Sequence, residues 1–330
     1  ETLYTKLPVF AQNAVVSLEG WRIQRSRFGR PFQKYLAEYM GRAFSSSDSI
    51  TAFQGRRLTE FVAYAAETTE FYKDLFKELG AEPGDIRSFD DLKRLPLVTK
   101  RQVQENLSKF AAAPVPNGKI ILSHTSGTTG SGLRFPVTLA AHAEQWAVWW
   151  RYRNWHGLGL DVPCLYFGGR SVVPQAQRVP PFWRYNRPGR QILFSGYHVN
   201  RENAPVYLRE MKHSGCLWIH GYPSIVALIA AYALEFGEKL NMRWITLGAE
   251  NVFPQQAAII EAAFGVHPIT HYGLAEGVAN FSMCPKGRFH ADEDYAAMEF
   301  LPNETGGYNV IGTNFTNMAF PLIRYETGDV

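Results

Sequence analysis

A run of glycines and hydroxyl side chains between residues 123 and 132 is the clearest place where this sequence could perform chemistry. The segment reads Ser-His-Thr-Ser-Gly-Thr-Thr-Gly-Ser-Gly and follows a short apolar run with the pattern of a strand. Glycine lets the backbone approach an anion closely, and serine and threonine hydroxyls add small hydrogen-bond donors. Such a loop can wrap a phosphate group, although a run of this composition taken alone is as often a solvent-exposed loop.

The glycine spacing matches only the first part of the Walker A phosphate loop. That motif requires a lysine followed by serine or threonine, whereas this chain has Leu133 and Arg134. The loop is therefore not that of a P-loop NTPase. The chain also has no Gly-x-Ser-x-Gly motif, and the Gly-x-Gly at 157–159 lacks the third glycine of the dinucleotide fingerprint, which disfavours hydrolase and oxidoreductase functions.

The residues around the loop predict an α/β fold in which β-sheets are layered with helices. From residue 118 onwards, short apolar runs alternate with helical patterns, which is typical of βαβ units and a mixed or parallel sheet. The predicted strands are 119–124, 162–167, 216–220, 244–247 and 268–272. The predicted helices between them are 138–153, 201–212, 224–236 and 254–264. After residue 295 the helical patterns end, and two apolar runs, at 297–301 and 308–315, predict a small antiparallel β-segment.

The first part of the chain reads differently from the rest. Residues 1–117 are predicted to be mainly helical, and residues 118–330 to form the α/β core with its β-segment. Thr99 and Gln102 have the spacing of a helix capping box. The segment 172–190, rich in proline and arginine, predicts an irregular loop.

The composition is that of an ordinary globular protein, with 330 residues, 46% hydrophobic side chains and a formal net charge of +4. So small a charge predicts no nucleic-acid partner, and no stretch approaches the roughly 18 apolar residues of a transmembrane segment. Three widely separated cysteines and no signal-peptide pattern lead us to expect a cytoplasmic protein. One basic segment is best explained as a solvated helix face, with contact to a membrane surface or to capsule machinery as the alternative; it comprises Arg22, Arg25, Arg27, Arg30, Lys34 and Arg42.

Three motifs, in the same order, resemble those of the adenylate-forming superfamily, which includes acyl-CoA synthetases, luciferases and nonribosomal peptide adenylation domains. Residues 125–130, Thr-Ser-Gly-Thr-Thr-Gly, are similar to its phosphate loop. Residues 271–276, His-Tyr-Gly-Leu-Ala-Glu, are similar to its Tyr-Gly-x-x-Glu motif, and residues 325–329, Tyr-Glu-Thr-Gly-Asp, to its Tyr-x-Thr-Gly-Asp motif. Three ordered motifs over about 200 residues are far more specific than any one of them alone.

Further stretches look most like the phenylacetate–CoA ligase branch of that superfamily and its CapK-type relatives. They are LPLVTKRQV at 95–103, GYPSIVALIA at 221–230 and Gly-Ala-Glu at 248–250. The resemblance implies the large N-terminal domain of such an enzyme. Because the sequence stops just after the third motif, we expect the small C-terminal lid domain, with its catalytic lysine, to be absent.

The resemblance implies that ATP and Mg²⁺ are bound. Glu276 is the implied Mg²⁺ ligand near the α-phosphate, together with Thr128, since magnesium prefers oxygen ligands and keeps several waters. The loop would hold the β- and γ-phosphates through Thr125, Ser126, Gly127, Thr128, Thr129 and Gly130. Arg134 is a further candidate cationic contact, because the usual lysine of the family falls at Leu133.

The implied nucleoside contacts come from three segments. Tyr272 would stack on the adenine with Gly273 leaving room beside it. Asp329 would accept hydrogen bonds from the ribose hydroxyls, as acidic residues do in dinucleotide sites. The other side of the base would be lined by Gly248, Ala249 and Glu250.

The acyl pocket and the catalytic residues are the less specific part of the assignment. Trp149 and five further residues lie near predicted strand ends or helix starts, although aromatic side chains at such positions are more often part of a core; these five are Tyr166, Phe167, His198, His220 and Tyr222. His220 and His271 are the candidates for contact with the substrate carboxylate. The candidate catalytic residues are Thr128, Glu276 and His271.

The implied reaction is the activation of a small carboxylic acid as acyl-adenylate, followed by transfer to coenzyme A. Transfer to an amine or a sugar is the alternative, and a non-catalytic nucleotide-binding module is the alternative of another class. A homodimer is one assembly that the sequence allows. Cys284 and His290 have a spacing seen in zinc sites, but neither cysteine nor histidine follows His290, so we expect no zinc.

Overall fold

A computed structural model describes residues 3–115, 119–125 and 132–330. The described helices are α1 (Val9–Arg27), α2 (Arg30–Arg42), α3 (Ser47–Thr68), α4 (Glu70–Leu79), α5 (Phe89–Leu92), α6 (Lys100–Glu105), α7 (Leu107–Phe110), α8 (Leu139–Trp155), α9 (Ala204–Ser214), α10 (Pro223–Glu235) and α11 (Pro254–Phe264). The described strands are β1 (Ile120–His124), β2 (Arg134–Thr138), β3 (Cys164–Phe167), β4 (Trp183–Asn186), β5 (Gln191–Phe194), β6 (Trp218–Gly221), β7 (Trp244–Leu247), β8 (Ile269–Gly273), β9 (Asn280–Met283), β10 (Phe289–Ala291), β11 (Ala296–Pro302), β12 (Tyr308–Asn314) and β13 (Tyr325–Glu326).

The chain divides into two compact units, each assembled from segments that are far apart in the sequence. Unit 1 contains the described residues up to Gly29, then Arg153–His271 and Met283–Arg288. Unit 2 contains Arg30–Tyr152, Tyr272–Ser282 and Phe289–Val330. The division expected between residues 117 and 118 stays a prediction.

Unit 1 is built on a mostly parallel sheet. Its strands lie in the order β8-β7-β6-β3-β5-β4, and all neighbours are parallel except β4, which runs antiparallel to β5 at one edge. Strand β7 is buried at all four positions, as expected of a parallel strand covered on both faces. Helices α9 and α11 begin with a proline in the first turn and end at Gly215 and Gly265, whose positive φ angles suit a left-handed helix end.

Unit 2 combines helices α2 to α7 and most of α8 with small antiparallel sheets. Helices α3 and α4 begin at the side-chain caps Ser46 and Thr69. Strands β1 and β2 form a hairpin, and β11, β12 and β13 form a three-stranded antiparallel sheet. Its core gathers buried side chains from helices and sheet alike, including Phe61, Tyr72 and Tyr325.

The structure confirms the predicted α/β class and most of the predicted elements. The capping box at Thr99 is confirmed, because the Thr99 N–H donates to Gln102 Oε1 at 2.8 Å and the Gln102 N–H donates to Thr99 Oγ1 at 3.1 Å. In the described ranges, no helix is both long and apolar enough to cross a membrane.

Two stretches differ from the prediction. The expectation of an irregular loop over 172–190 is wrong in part, since Trp183–Asn186 forms the edge strand β4. Strand β2, which contains Pro136, was not predicted. Proline is tolerated there because β2 pairs on one side only, in a two-stranded hairpin.

Candidate functional site

Glu276 and Asp329, the last residues of the two later motifs, lie in the same unit and influence each other. Glu276 follows β8 in a turn and is 7% exposed, so it is not the surface carboxylate that the residue type alone would suggest. Burial raises the pKa of the Glu276 carboxyl, and the Asp329 carboxylate raises it further. The Glu276 carbonyl accepts a hydrogen bond from Asn314 Nδ2 at 2.9 Å, which fixes the turn.

Tyr272 and Asp329 are in direct contact although 57 residues separate them. The Tyr272 hydroxyl donates to Asp329 Oδ2 at 2.6 Å. Burial raises the pKa of Tyr272, and the hydrogen bond to Asp329 raises it further, so the phenol stays protonated. Asp329 itself is exposed, and its N–H donates to Thr327 Oγ1 at 3.1 Å. The Asp329 carboxylate is thus both accessible and held beside the Tyr272 ring.

The third motif is held in place by the LPLVTKRQV stretch. Val98 forms a parallel bridge with Tyr325, in which the Val98 N–H donates to the Arg324 carbonyl and the Glu326 N–H donates to the Val98 carbonyl, both at 2.9 Å. The Tyr325 hydroxyl lies beside Glu276. Burial raises the pKa of Tyr325, and the Glu276 carboxylate raises it further.

Lys100 is a candidate site residue that the sequence analysis did not single out. Its ammonium group is close enough to Glu276 to lower the pKa of that carboxyl, against the larger effect of burial. Lys100 begins α6, two residues after the Val98 bridge. Lys100 lies within the LPLVTKRQV stretch that carries part of the resemblance, so the sequence did point to this segment. Its proximity to Glu276 became known only from the folded chain, in which Val98 is bridged to Tyr325.

Arg324, the residue that precedes the third motif, fixes the backbone at the start of that motif. It adopts the left-handed conformation, with φ 51°, which is unusual for a residue with a side chain. Its buried guanidinium makes a bidentate ion pair with Glu299, at 2.9 and 2.7 Å, and also donates to the Leu95 carbonyl. These contacts hold the strained conformation and thereby the start of β13.

Gly273 sits where no larger side chain fits. A β-carbon at this position would lie 2.5 Å from Asn280 Oδ1 and 3.0 Å from Trp149 Nε1. Those two atoms are themselves hydrogen bonded at 2.9 Å, and Asn280 donates to the buried Asp292. Asp292 pairs with Arg151 at 2.6 Å. A buried polar network therefore fixes the residue that follows Tyr272.

The ends of the predicted phosphate loop are described, and Ser126 to Gly130 lie outside the described residues. The Thr125 N–H donates to the Leu133 carbonyl and the Leu133 N–H donates to Thr125 Oγ1, both at 2.9 Å, so the two ends close the hairpin. Leu133 is buried in the core of unit 2, whereas Arg134 is exposed. Leu133, at the position where the resemblance implies a lysine, thus points into the core of unit 2, and Arg134 points to solvent.

In unit 1 the Gly-Ala-Glu segment follows β7. Gly248 is buried, and a β-carbon there would lie 3.1 Å from His271 Cε1. Ala249 has a positive φ of 68°, a strained conformation of the kind found at functional sites. Glu250 Oε2 accepts from the Ser224 N–H at 3.0 Å, so this side chain caps α10.

Tyr166, His220 and His271 lie on the same face of the unit 1 sheet, at the carboxyl ends of its strands. Tyr166 and His220 are register partners on β3 and β6, with ring centroids 5.5 Å apart. His220 Nδ1 contacts the Thr246 carbonyl at 3.0 Å. Burial, with a smaller contribution from Arg153, lowers the pKa of His220 to about 3 and that of His271 well below its usual range. Both imidazoles are therefore neutral at neutral pH and can bind a carboxylate only through a hydrogen bond.

The remaining acyl-pocket candidates separate into two groups. Tyr222 precedes α10, and its hydroxyl lies close to Gly169, in the loop after β3 that also approaches Tyr166. Phe167 faces the other side of the sheet, where its ring stacks on Phe194 at 4.7 Å. His198 stacks on Phe182 at 4.9 Å and is hydrogen bonded to Ser195. The structure brings Tyr166, Tyr222, His220 and His271 towards one edge and places Phe167 and His198 in the core packing.

The chain is similar to solved structures of a CoA ligase. The crystal structure of 2-hydroxyisobutyryl-CoA ligase in the postadenylation state, in complex with R3-HIB-AMP, matches with a TM-score of 0.64 and 18% identity, over 86% of this chain and 63% of that chain. The same ligase in an open conformation with 2-HIB-AMP and CoA matches with a TM-score of 0.60 and 17% identity, over 84% of this chain and 63% of that chain. The chain thus spans 63% of the length of that ligase. The chain therefore shares the fold of that ligase over most of its own length.

Sequence comparison gives the family. Protein CapK of Staphylococcus aureus is 26% identical over 329 residues, which are 99% of this chain and 72% of that protein. The phenylacetate-coenzyme A ligase of Escherichia coli is 33% identical over 317 residues, which are 87% of this chain and 68% of that protein. No family model matches the chain. On the similarity to the Escherichia coli enzyme, the chain belongs to the phenylacetate-coenzyme A ligase family.

Proposed function

We propose that this chain carries the nucleotide-binding part of an AMP-forming ligase that joins a carboxylic acid to coenzyme A. The observation that carries the proposal is the hydrogen bond of 2.6 Å between Tyr272 and Asp329, with the buried Glu276 carboxylate in the same unit. Two separate motifs supply these residues, and both resemble motifs of adenylate-forming enzymes. Burial and the neighbouring Asp329 carboxylate both raise the pKa of Glu276, and carboxyl groups perturbed in this way are concentrated at functional sites.

The proposed reaction has two steps. A carboxylate oxygen attacks the α-phosphorus of ATP, the bond from that phosphorus to the bridging oxygen breaks, and pyrophosphate leaves. The coenzyme A thiolate then attacks the acyl carbonyl carbon, and AMP leaves with the electron pair of the broken carbon–oxygen bond. Such phosphoryl chemistry depends on positioning and charge stabilisation and does not require a covalent nucleophile.

The residues of unit 2 suit the nucleotide in this scheme. Tyr272 would stack on the adenine, Asp329 would accept from the ribose hydroxyls, and Glu276 would be a magnesium ligand. One carboxylate is sufficient, because Mg²⁺ keeps several waters and takes phosphate oxygens as further ligands. When bound, the metal neutralises charge on the phosphates. Lys100, which already lowers the pKa of the Glu276 carboxyl, would keep this group ionised.

The neutral histidines of unit 1 suit an acidic substrate. A carboxylate that must act as a nucleophile is activated poorly by a full positive charge, whereas a neutral imidazole donates a hydrogen bond and leaves most of the electron density in place. We propose His271 and His220 as the carboxylate contacts, with Tyr166 and Tyr222 beside them. The predicted roles of Phe167 and His198 are weaker, because both rings are engaged in core stacking.

Coenzyme A is the proposed acceptor because four of the relatives are named as phenylacetate-coenzyme A ligases. An amine or sugar acceptor remains an outcome of the test below. We also infer a cytoplasmic location, since ATP and coenzyme A are cytoplasmic and the three cysteines are free thiols.

The test uses the full-length protein with a panel of carboxylic acids. The expected result is pyrophosphate release with MgATP and one of the acids, stimulated by coenzyme A. Stimulation only by an amine or a sugar would identify that compound, and not coenzyme A, as the acceptor. No pyrophosphate release with any acid, at concentrations where ATP binds, would leave a non-catalytic nucleotide-binding module.

Two matched substitutions locate the chemistry. Glu276→Gln should lower kcat by at least about a hundredfold, the usual effect of removing one charge-stabilising group from an active site. Glu304→Gln, an exposed carboxylate of the same unit, should leave kcat unchanged. Tyr272→Ala should weaken the free energy of ATP binding by about 1–3 kcal/mol, because the stacking on the adenine is lost. Tyr272→Phe should lose only the hydrogen bond to Asp329, about 1 kcal/mol. Calorimetry measures both binding free energies.

A further inference from the structure

The tyrosines among the acyl-pocket candidates of unit 1 lie against the loop that follows β3. A β-carbon at Gly168 would lie 2.4 Å from the Tyr166 hydroxyl oxygen, and one at Gly169 would lie 2.1 Å from the Tyr222 hydroxyl oxygen. Two phenols therefore converge on this backbone. They do so at the carboxyl ends of parallel strands, which is where open α/β sheets bind their ligands.

Two arginines lie within electrostatic reach of the Tyr166 hydroxyl. Arg170 belongs to the loop after β3, and Arg27 is the last residue of α1. Burial raises the pKa of Tyr166, whereas both guanidinium groups lower it. Arg170 is exposed, but Arg27 is half-buried, although it belongs to the basic segment that the sequence analysis assigns to a solvated helix face. The hydroxyl end of Tyr166 therefore lies in positively charged surroundings.

Both arginines are held in position by packing within unit 1. Helix α1 approaches β4 so closely that a β-carbon at Gly20 would lie 1.8 Å from Asn186 Oδ1. The loop that carries Arg170 is fastened two residues later, because the Val172 carbonyl accepts a hydrogen bond from the Tyr4 hydroxyl at 2.7 Å. Contacts outside the pocket thus bring the two side chains to the same place.

The two guanidinium groups repel each other. The pKa of Arg27 is lowered to about 10, chiefly by burial and further by the charge of Arg170. Glu19 also lies near Arg170, but its carboxylate makes its main ion pair with Arg22, at 2.7 Å. An anion held by Arg27 and Arg170 would offset their repulsion, and the planar fork of a guanidinium group matches the geometry of a carboxylate.

This positive region is separate from the proposed contacts of the reacting carboxylate. The His220 ring lies beside the Tyr166 ring, with centroids 5.5 Å apart, whereas the two arginines act at the hydroxyl end of the tyrosine side chain. On the side of the histidines the cation is Arg153, which lowers the pKa of both His220 and His271 after burial. A reacting carboxylate beside the histidines would thus leave the other two arginines available for a second group.

We propose that the acid activated by this chain is a dicarboxylic acid, whose second carboxylate is bound by Arg27 and Arg170 beside the Tyr166 hydroxyl. The inference rests on the proposed function, and it adds the substrate class. It makes the two arginines specificity-determining residues, because they would distinguish an acid with a charged far end from one of the same length with an uncharged far end.

The test is ATP–pyrophosphate exchange by the full-length protein, measured without an acceptor on matched pairs of acids. One pair is glutarate and pentanoate, and the other is 4-carboxyphenylacetate and phenylacetate. In each pair the acids share a carbon skeleton up to the far end and differ there in charge. We expect kcat/KM to be at least about tenfold higher for the dicarboxylate of one or both pairs, the usual contribution of hydrogen bonds between charged groups.

Substitutions then locate the second carboxylate. Arg27→Gln and Arg170→Gln should each lower the ratio of kcat/KM for the dicarboxylate to that for its monocarboxylate partner by about tenfold to a hundredfold. Arg170→Lys should retain most of the ratio, because it keeps the charge. The matched control is Arg209→Gln on α9, an exposed arginine of the same unit, which should leave the ratio unchanged. Circular dichroism shows whether each variant is folded, and the exposed position of Arg170 makes its variants the safer of the two sets.

Three outcomes would overturn the inference, and they differ from failure of the proposed function. Exchange in which each monocarboxylate equals or exceeds its dicarboxylate partner removes the second carboxylate while the ligase remains. An unchanged ratio in both Arg170→Gln and Arg27→Gln places the selectivity elsewhere. A raised KM for coenzyme A in the complete reaction, with unchanged exchange, assigns the arginines to the phosphates of the acceptor. No exchange with any acid, although ATP binds, would instead refute the proposed function itself.

Discussion

The contact geometry of Gly273 allows one substitution to be worked through in detail. In Gly273→Ala the added methyl group would lie 2.5 Å from Asn280 Oδ1 and 3.0 Å from Trp149 Nε1. Neither atom is the end of a flexible chain, because the two are hydrogen bonded to each other and Asn280 also bonds to Asp292. Overpacking of a core position costs about 1–3 kcal/mol, and a broken hydrogen bond about 1 kcal/mol more. We expect the free energy of unfolding to fall by about 2–4 kcal/mol.

The assay is urea unfolding at neutral pH, with the ATP dissociation constant measured on the folded variant. Gly41→Ala is the matched control, since a β-carbon there has nothing within 4 Å and Gly41 lies in α2; it should stabilise the protein by about 0.5–1 kcal/mol. The two substitutions thus have opposite expected signs although both add one methyl group to a glycine of unit 2.

A double-mutant cycle with Asn280→Ala tests the cause. Removing the Asn280 side chain removes the atom nearest to the new methyl group, so Gly273→Ala should cost little in that background. The expected coupling energy is about 2 kcal/mol in favour of the double variant. Additive effects of the two substitutions would refute the reasoning, because the clash would then not be the source of the loss.

Three further predictions concern stability. Arg324→Ala should lower the free energy of unfolding by about 3–5 kcal/mol because it leaves Glu299 buried without its partner, whereas Arg201→Ala, at an exposed pair, should change it by less than 1 kcal/mol; urea unfolding separates these outcomes. The pKa of His220 is lowered to about 3 in the folded protein, so below about pH 6.5 protons bind preferentially to the unfolded state. The free energy of unfolding should therefore fall by about 1.4 kcal/mol per pH unit from pH 6.5 towards pH 5. His220→Gln should reduce this slope in unfolding curves measured across that range. Thr99→Ala removes the cap of α6 and should cost about 1 kcal/mol, while Thr99→Ser should cost only a few tenths.

Much of the fold could be predicted because its signals are local. The capping box at Thr99, the prolines that begin α9, α10 and α11, and the glycines that end α9 and α11 act within one helical turn. The strands of unit 1 could be predicted because parallel strands covered on both faces are continuous apolar runs. Strand β4 could not, because its pairing with β5 and its contacts with α1 are long-range and leave no mark in its own four residues.

The candidate site divides in the same way. Glu276, Tyr272 and Asp329 could be selected from ordered motifs, but the hydrogen bond between Tyr272 and Asp329 and the burial of Glu276 belong to the folded chain. Lys100 was overlooked because its relation to Glu276 depends on the bridge between Val98 and Tyr325.

The residue types and their order along the chain thus determined the fold class, the local ends of the helices and the motifs that could bind a nucleotide. The tertiary structure decided which neighbours face which way: Tyr166 and Phe167 are adjacent in sequence but lie on opposite faces of β3, and Leu133 is buried while Arg134 is exposed. The physical reason is that burial, pKa and contact depend on distances between residues far apart in the chain, and those distances exist only after folding.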